Sequence, residues 1–142
     1  MKSLKQLVVL AIFGALACAG LHAQSVDMRV TIPFDFRAGN TLMPAGEYEV
    51  HGQGPFVILR LADGGRPSVG LITNGATGAD PTRADARLDF NRYGNAYFLT
   101  TIWNPSSSDG RQVPTSHQEK QLAKRGVPVQ TAAIRVSKPS NQ

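Results

Sequence analysis

The chain is poor in the residues that most enzymes and disulfide-stapled domains depend on. It has one cysteine, three histidines and one tryptophan in 142 residues. One cysteine cannot build an internal disulfide framework. No Gly-x-Ser-x-Gly elbow occurs, and no phosphate loop ending in Gly-Lys-Ser or Gly-Lys-Thr. The commonest local marks of acyl transfer and nucleotide hydrolysis are therefore missing. Nor is there an apolar run of the ~20 residues that a membrane-spanning helix needs. With 42% hydrophobic and 18% charged residues, what remains is the composition of a folded globular chain. Its length suits a single domain.

The N-terminal segment reads as an address. Lys2 and Lys5 supply a positive start, and Leu7 to Leu21 follow without a charge. A basic start, a short apolar core and a small residue at the exit describe a secretory signal. Residues 1–23 are expected to be removed after Ala23, leaving Gln24 as the new N-terminus and residues 24–142 as one domain. Leu21 is larger than that position prefers, and Ala17-Cys18-Ala19 offers a second exit. A lipidated Cys18 is the alternative, but Ala15-Leu16-Ala17 puts the leucine one place away from the usual lipoprotein pattern. Cleavage after Ala23 removes the cysteine, and with it thiol catalysis and thiolate metal sites. The protein is expected in the periplasm or outside the cell, with stability resting on its core.

The remaining chain alternates in strand rhythm. Val26, Met28, Val30 and Ile32 face one way, and Asp27, Arg29 and Thr31 the other. Pro33 requires an edge position or a bend. Leu42 to Gly46 reads as a turn, Glu47 to His51 as a strand, and Phe56–Leu61 with Val69–Thr73 as a hairpin. Residues 74–82 read as the longest loop. Residues 84–92 and Ala96–Trp103 flank Gly94-Asn95, the strongest hairpin signal in the chain. Tyr97–Trp103 is apolar on both faces, as in a central strand. Asn104–Gly110 reads as a polar loop. Ser116 to Glu119 forms a capping box before a helix at 117–125, closed by Gly126. Val129–Val136 is a last strand, and residues 138–142 read as a frayed tail. The fold class is all-β: a single-domain sandwich or small barrel of about seven or eight strands, with one short helix near the C-terminus.

Three stretches carry a resemblance. They are Ile32-Pro33-Phe34-Asp35-Phe36 with Leu42-Met43-Pro44-Ala45-Gly46-Glu47-Tyr48, then Phe90 through Leu99, then Val113-Pro114 leading into Glu119 and Leu122-Ala123. In this order they resemble a family of small secreted β-domain proteins numerous in soil acidobacteria. Met43 departs from that pattern, which runs leucine straight into proline. The resemblance implies export and a single β domain, and it carries over no catalytic or binding residue.

Four sets of residues are candidates for chemistry. Glu47, Glu49 and His51 share one strand face, where two carboxylates and an imidazole could hold a divalent metal or serve a small metal-dependent hydrolase. Alternation on a solvated face predicts the same pattern. Phe98 and Ile102 are expected on one face, beside Asn91 and Arg87, as the wall of a groove for a small apolar ligand or as packed core. Arg83, Asp85, Arg87 and Asp89 alternate in sign, as cross-strand ion pairs would.

Charge is uneven along the chain. Residues 24–110 hold 7 basic and 9 acidic residues, and residues 111–142 hold 6 basic and 1 acidic. Lys120, Lys124 and Arg125 complement the helix dipole, and could also meet an anionic surface such as an envelope polysaccharide. Another envelope protein is the other partner class. Export and the lack of interleaved basic and aromatic residues argue against nucleic acid. No cofactor and no transmembrane span of the processed protein are implied. The reading is an exported, non-catalytic binding or structural module.

Overall fold

The alternation of buried and exposed residues resolves into two sheets that face each other. A computed structural model describes residues 25–78, 86–104 and 109–136. They contain β1 (Ser25–Ile32), β2 (Phe36–Ala38), β3 (Thr41–Met43), β4 (Gly46–Gln53), β5 (Phe56–Leu61), β6 (Ser68–Ile72) and β7 (Asn74–Thr77). Beyond these lie β8 (Arg87–Tyr93), β9 (Ala96–Trp103), β10 (Asp109–Gln112), α1 (His117–Lys124) and β11 (Gln130–Arg135). Among the described residues no helix is long and apolar enough to cross a membrane. The signal segment with Cys18, Ala23 and Gln24, the loop residues 79–82, Arg83, Asp85 and the tail 138–142 lie outside the described residues.

One sheet has the order β1-β4-β5-β6. The other has the order β11-β8-β9-β10-β7, with β2 pairing both β3 and β9. The fold is a β-sandwich. Seven strands of five or more residues account for the expected number. The other four are short: β2, β3, β7 and β10. Asn74–Thr77 and the start of Asp109–Gln112 fall where the sequence predicts loop, because each segment is too short and too poor in apolar residues to alternate. Pairing with each other makes them strands. Leu42-Met43 likewise ends β3, so the turn itself is only Pro44-Ala45.

Two residues mark where the chain changes sheet. Pro33 lies between β1, an edge strand of the first sheet, and β2 in the second. Thr73 lies between β6 and β7 and is pinned by its N–H and its hydroxyl, both donating to the carbonyl of Pro55 at 2.8 and 3.0 Å. Corners of this kind let one segment serve as an edge of both sheets.

The core fills the space between the inner faces. Met28, Val30 and Ile32 from β1, Tyr48 and Val50 from β4, and Val57 and Leu59 from β5 meet Leu88, Phe90, Leu99 and Ile102 from β8 and β9. At one end the core is aromatic. Phe34 stacks on Tyr97 with centroids 3.8 Å apart and meets Phe90 edge-on, and Phe36 is edge-on to both Tyr48 and Phe90. Asp35 accepts from the N–H of Ala45 at 2.8 Å, and the Tyr48 hydroxyl donates to the Pro44 carbonyl. Burial, aided by the charge of Asp35, pushes the Tyr48 phenol up to about 12.

The hairpin at Gly94-Asn95 has the expected two-residue loop, with Gly94 at a φ of 60° and Tyr93 opposite Ala96. Arg92 faces Tyr97 and Phe90 faces Leu99, as a two-residue loop requires. Beyond that the register slips by one, because Asp89 pairs Thr101 and leaves Thr100 extra. Thr100 donates its hydroxyl to the carbonyl of Asp89 at 3.0 Å and gives its own carbonyl to Val113. This β-bulge places Arg87, rather than Ala86, opposite Trp103.

Candidate functional site

A cleft of about 620 Å³ opens at the end of the sandwich opposite the aromatic cluster. Its walls are the β4–β5 turn at Gly54-Pro55, the corner residue Thr73, the backbone of β7, and Asn104 with the start of β10. Each position follows from the topology. The turn brings Pro55 to Thr73, and β10 pairs with both β7 and β9, so Asp109 and Arg111 come beside Asn104. The Asn104 N–H donates to the Asp109 carbonyl at 3.2 Å.

Polar side chains in this cleft are unusually deep. Thr73, Asn104 and Arg111 are 5%, 8% and 8% exposed. The buried Oδ1 of Asn104 accepts no hydrogen bond from the described residues. An acceptor left this way costs about 1–3 kcal/mol; His51 Nε2, on the outer face of the first sheet, is also without a hydrogen-bond partner. Gly110, also on the cleft wall, has no room for a side chain. A Cβ there would come 2.7 Å from the Trp103 ring, which lies across it. Arg87 sits over the other part of this arrangement, 5.0 Å from the indole centroid, and the indole N–H donates to Asp89 at 2.7 Å.

Glu47, Glu49 and His51 do share the outer face of the first sheet. They share it with Asp27, Arg29 and Arg60. Glu49 receives Arg29 at 2.6 Å and Arg60 at 2.9 Å, and these two guanidinium groups hold its carboxyl below the usual carboxylate range. Arg29 also reaches Glu47 at 3.6 Å, and His51 Nδ1 lies 2.6 Å from Asp27. The arrangement is a cross-strand ion-pair ladder, with cations already on the carboxylates. Among the described residues no three His, Cys, Asp or Glu side chains gather as a metal-binding group would.

Phe98 and Ile102 do not share a face. The bulge at Thr100 reverses the alternation between them. Ile102 pairs with Leu88 in the main core, while Phe98 pairs with Asn91 on the other side of the sheet and lies edge-on to Tyr93. Both are buried, at 1% and 0% exposure, so they form no common groove wall. Arg87 and Asp89 do pair, at 3.1 Å along one strand.

Helix α1 covers the Phe98 side. Ser116 accepts from the Glu119 N–H at 3.1 Å, as the capping box requires. The carboxylate of Glu119 goes elsewhere than expected. It is buried and receives Asn91 Nδ2 at 2.8 Å and the Tyr93 hydroxyl at 3.4 Å. Burial pushes the Tyr93 phenol up, and the neighbouring carboxylate adds to this. A helix with so thin an apolar stripe thus docks through a buried polar contact. Lys120, Lys124 and Arg125 point outward and are exposed.

The cleft residues Thr73, Asn104, Asp109 and Arg111 were not singled out by the sequence. Thr73 ends a strand in the sequence reading, Asn104 and Asp109 belong to one polar loop, Arg111 follows it, and no spacing connects them. The one available signal was weak: Asn104 directly after the apolar run that ends at Trp103. Comparison with protein-family models, with curated proteins and with solved structures finds no match for this chain.

Proposed function

We propose that this protein is an exported, non-catalytic binding module that holds its ligand in the cleft at the β6–β7 corner. The observation that carries the reading is the cleft of about 620 Å³ itself, walled by the backbone of β7 and β10, with the polar residues Thr73, Asn104 and Arg111 set deep beside it. Donors and acceptors held in place by two sheet ladders suit recognition, because little ordering remains to be done on binding. The apolar run before Ala23 supports export, and so does the resemblance to small secreted β-domain proteins. The ion-pair ladder of Glu47, Glu49 and His51 is read as surface structure, and Lys120, Lys124 and Arg125 as a solvated helix face.

Native mass spectrometry of the protein recovered from its host's exported fraction tests this. The expected result is a chain beginning at Gln24 that carries an added mass, released on denaturation. A bare chain whose melting temperature is unmoved by the host's envelope extract would contradict the reading.

A further inference from the structure

We propose that the free edge of β6 pairs antiparallel with β6 of a second copy of this chain, joining their two four-stranded sheets into one. The pairing does not depend on what the cleft holds.

The edge is open in its backbone. Among the described residues, β5 pairs one side of β6 and no strand pairs the other. The Thr73 N–H donates to Pro55, on the β5 side. Antiparallel bonding alternates from residue to residue, so Leu71 and Val69 also bond toward β5. Ser68, Gly70 and Ile72 therefore turn their N–H and C=O groups to the free edge. Sheet edges are usually blunted by charge, proline or a bulge. Residues 68–77 contain no charged residue and no proline. The opposite side of the sandwich is built differently. There β1 carries Asp27 and Arg29 on its exposed face, and β1 and β11 approach each other.

The outer face beside this edge is apolar. Of the five large apolar side chains exposed among the described residues, three gather here: Phe56 at 60%, Ile58 at 51% and Ile72 at 66%. Phe56 lies opposite Ile72, and Ile58 opposite Gly70. A cluster of this kind marks a contact surface. A lipid surface suits it poorly. The carboxylates elsewhere on this face, Asp27, Glu47 and Glu49, outnumber the guanidinium groups of Arg29 and Arg60, and an anionic bilayer repels such a face.

Symmetry selects a second copy. With a twofold axis at Gly70, glycine meets glycine and each Ile72 meets the other copy's Ser68. Large lies against small at both ends of the pairing. The ion-pair ladders on β1 and β4 stay at the far ends of the joined sheet, so like charges do not meet. The same residues serve both copies, as an isologous contact requires. About six backbone hydrogen bonds form between the two strands. So short a contact makes a reversible dimer rather than a permanent one.

Analytical ultracentrifugation of the protein recovered from its host, from about 1 μM to 1 mM, tests this. A reversible monomer–dimer equilibrium is expected within that range. Gly70 has open space where a side chain would begin and its φ is not positive, so Gly70→Lys and Gly70→Glu should keep the wild-type urea midpoint. Each sets like charges against one another across the axis and should raise the dissociation constant at least about tenfold. An equimolar mixture of the two variants should restore the dimer. In the unsubstituted chain, hydrogen-exchange protection at the amides of Gly70 and Ile72 should rise with concentration. A monomer throughout the range would overturn the pairing. A dimer unmoved by either substitution would assign the contact to another face, and a loss not restored by mixing would remove Gly70 from the axis. A chain that stays monomeric but binds neutral phospholipid vesicles, or an uncharged extended peptide, would replace the second copy with that occupant.

Discussion

The two ends of the sandwich are built on opposite principles. At the Pro33–Pro44 end, five aromatic rings interlock and the polar groups beside them are satisfied locally: Asp35 by Ala45, Tyr48 by Pro44. At the Pro55–Thr73 end, small and polar residues line an open space, and one buried acceptor has no partner among the described residues. The first end holds the sheets together. The second is held together by the strands that pass through it, and it is the end at which we propose a ligand binds. In a fold of this size stability and recognition can be separated spatially, because long strands such as β4 and β9 run from one region to the other.

Substitutions at matched depth should expose this difference. Phe36→Ala, at 1% exposure, removes a ring that touches both Tyr48 and Phe90 and should cost about 3–5 kcal/mol in urea unfolding. Asn104→Ala, at 8% exposure, should cost less than about 1 kcal/mol, because the lost group was already unpaired. Equal losses at the two positions would erase the distinction.

Helix α1 sharpens it by belonging to the structural side. Glu119→Ala strands Asn91 and Tyr93 and should cost about 2 kcal/mol, with hydrogen exchange rising in residues 117–124 ahead of the strands. A uniform rise across the chain would mean that the helix is not separately docked.

The next effect is alkaline. Tyr48 is neutral in the folded state up to about pH 12, while the unfolded chain ionises near its ordinary value of 10.0. The unfolded state then binds fewer protons, so stability should fall as pH rises through this interval. Tyr48→Phe should cost about 1 kcal/mol at neutral pH and flatten that fall. An unchanged alkaline slope would remove Tyr48 as its cause.

The smallest effect is at low pH. The Glu49 carboxyl is held down by Arg29 and Arg60, so its contribution is present above its ordinary value of 4.5 and is lost as pH falls through the lower folded value. Because the ladder is solvated, Glu49→Gln should change the acid melting curve slightly, with salt having a similar effect.

The packed end was legible in the sequence and the open end was not, for physical reasons. Phe34, Phe36, Tyr48, Phe90 and Tyr97 pack in the cluster, and Asn91 and Tyr93 meet Glu119. Alternation, proline and turn chemistry are local, so they show in a string. The bend at Pro33, the hairpin at Gly94-Asn95 and the cap at Ser116 are of this kind. The bulge at Thr100 is not. It depends on how two strands meet, and it moved Ile102 away from Phe98 and into the main core. The cleft is less legible still, since Pro55, Thr73, Asn104 and Arg111 are united only by strand order. Glu119 shows the same limit in miniature: its capping position could be read, and its buried partners across the sheet could not.

Hydrogen exchange on the protein recovered from its host, as isolated and again after unfolding and refolding to strip any bound ligand, tests the division of the two ends most directly. The account predicts added protection in the ligand-bound form at residues 54–57, 73–77 and 109–111, with residues 33–48 and 90–99 unchanged. Protection that appears at the aromatic end, or at neither end, would contradict it.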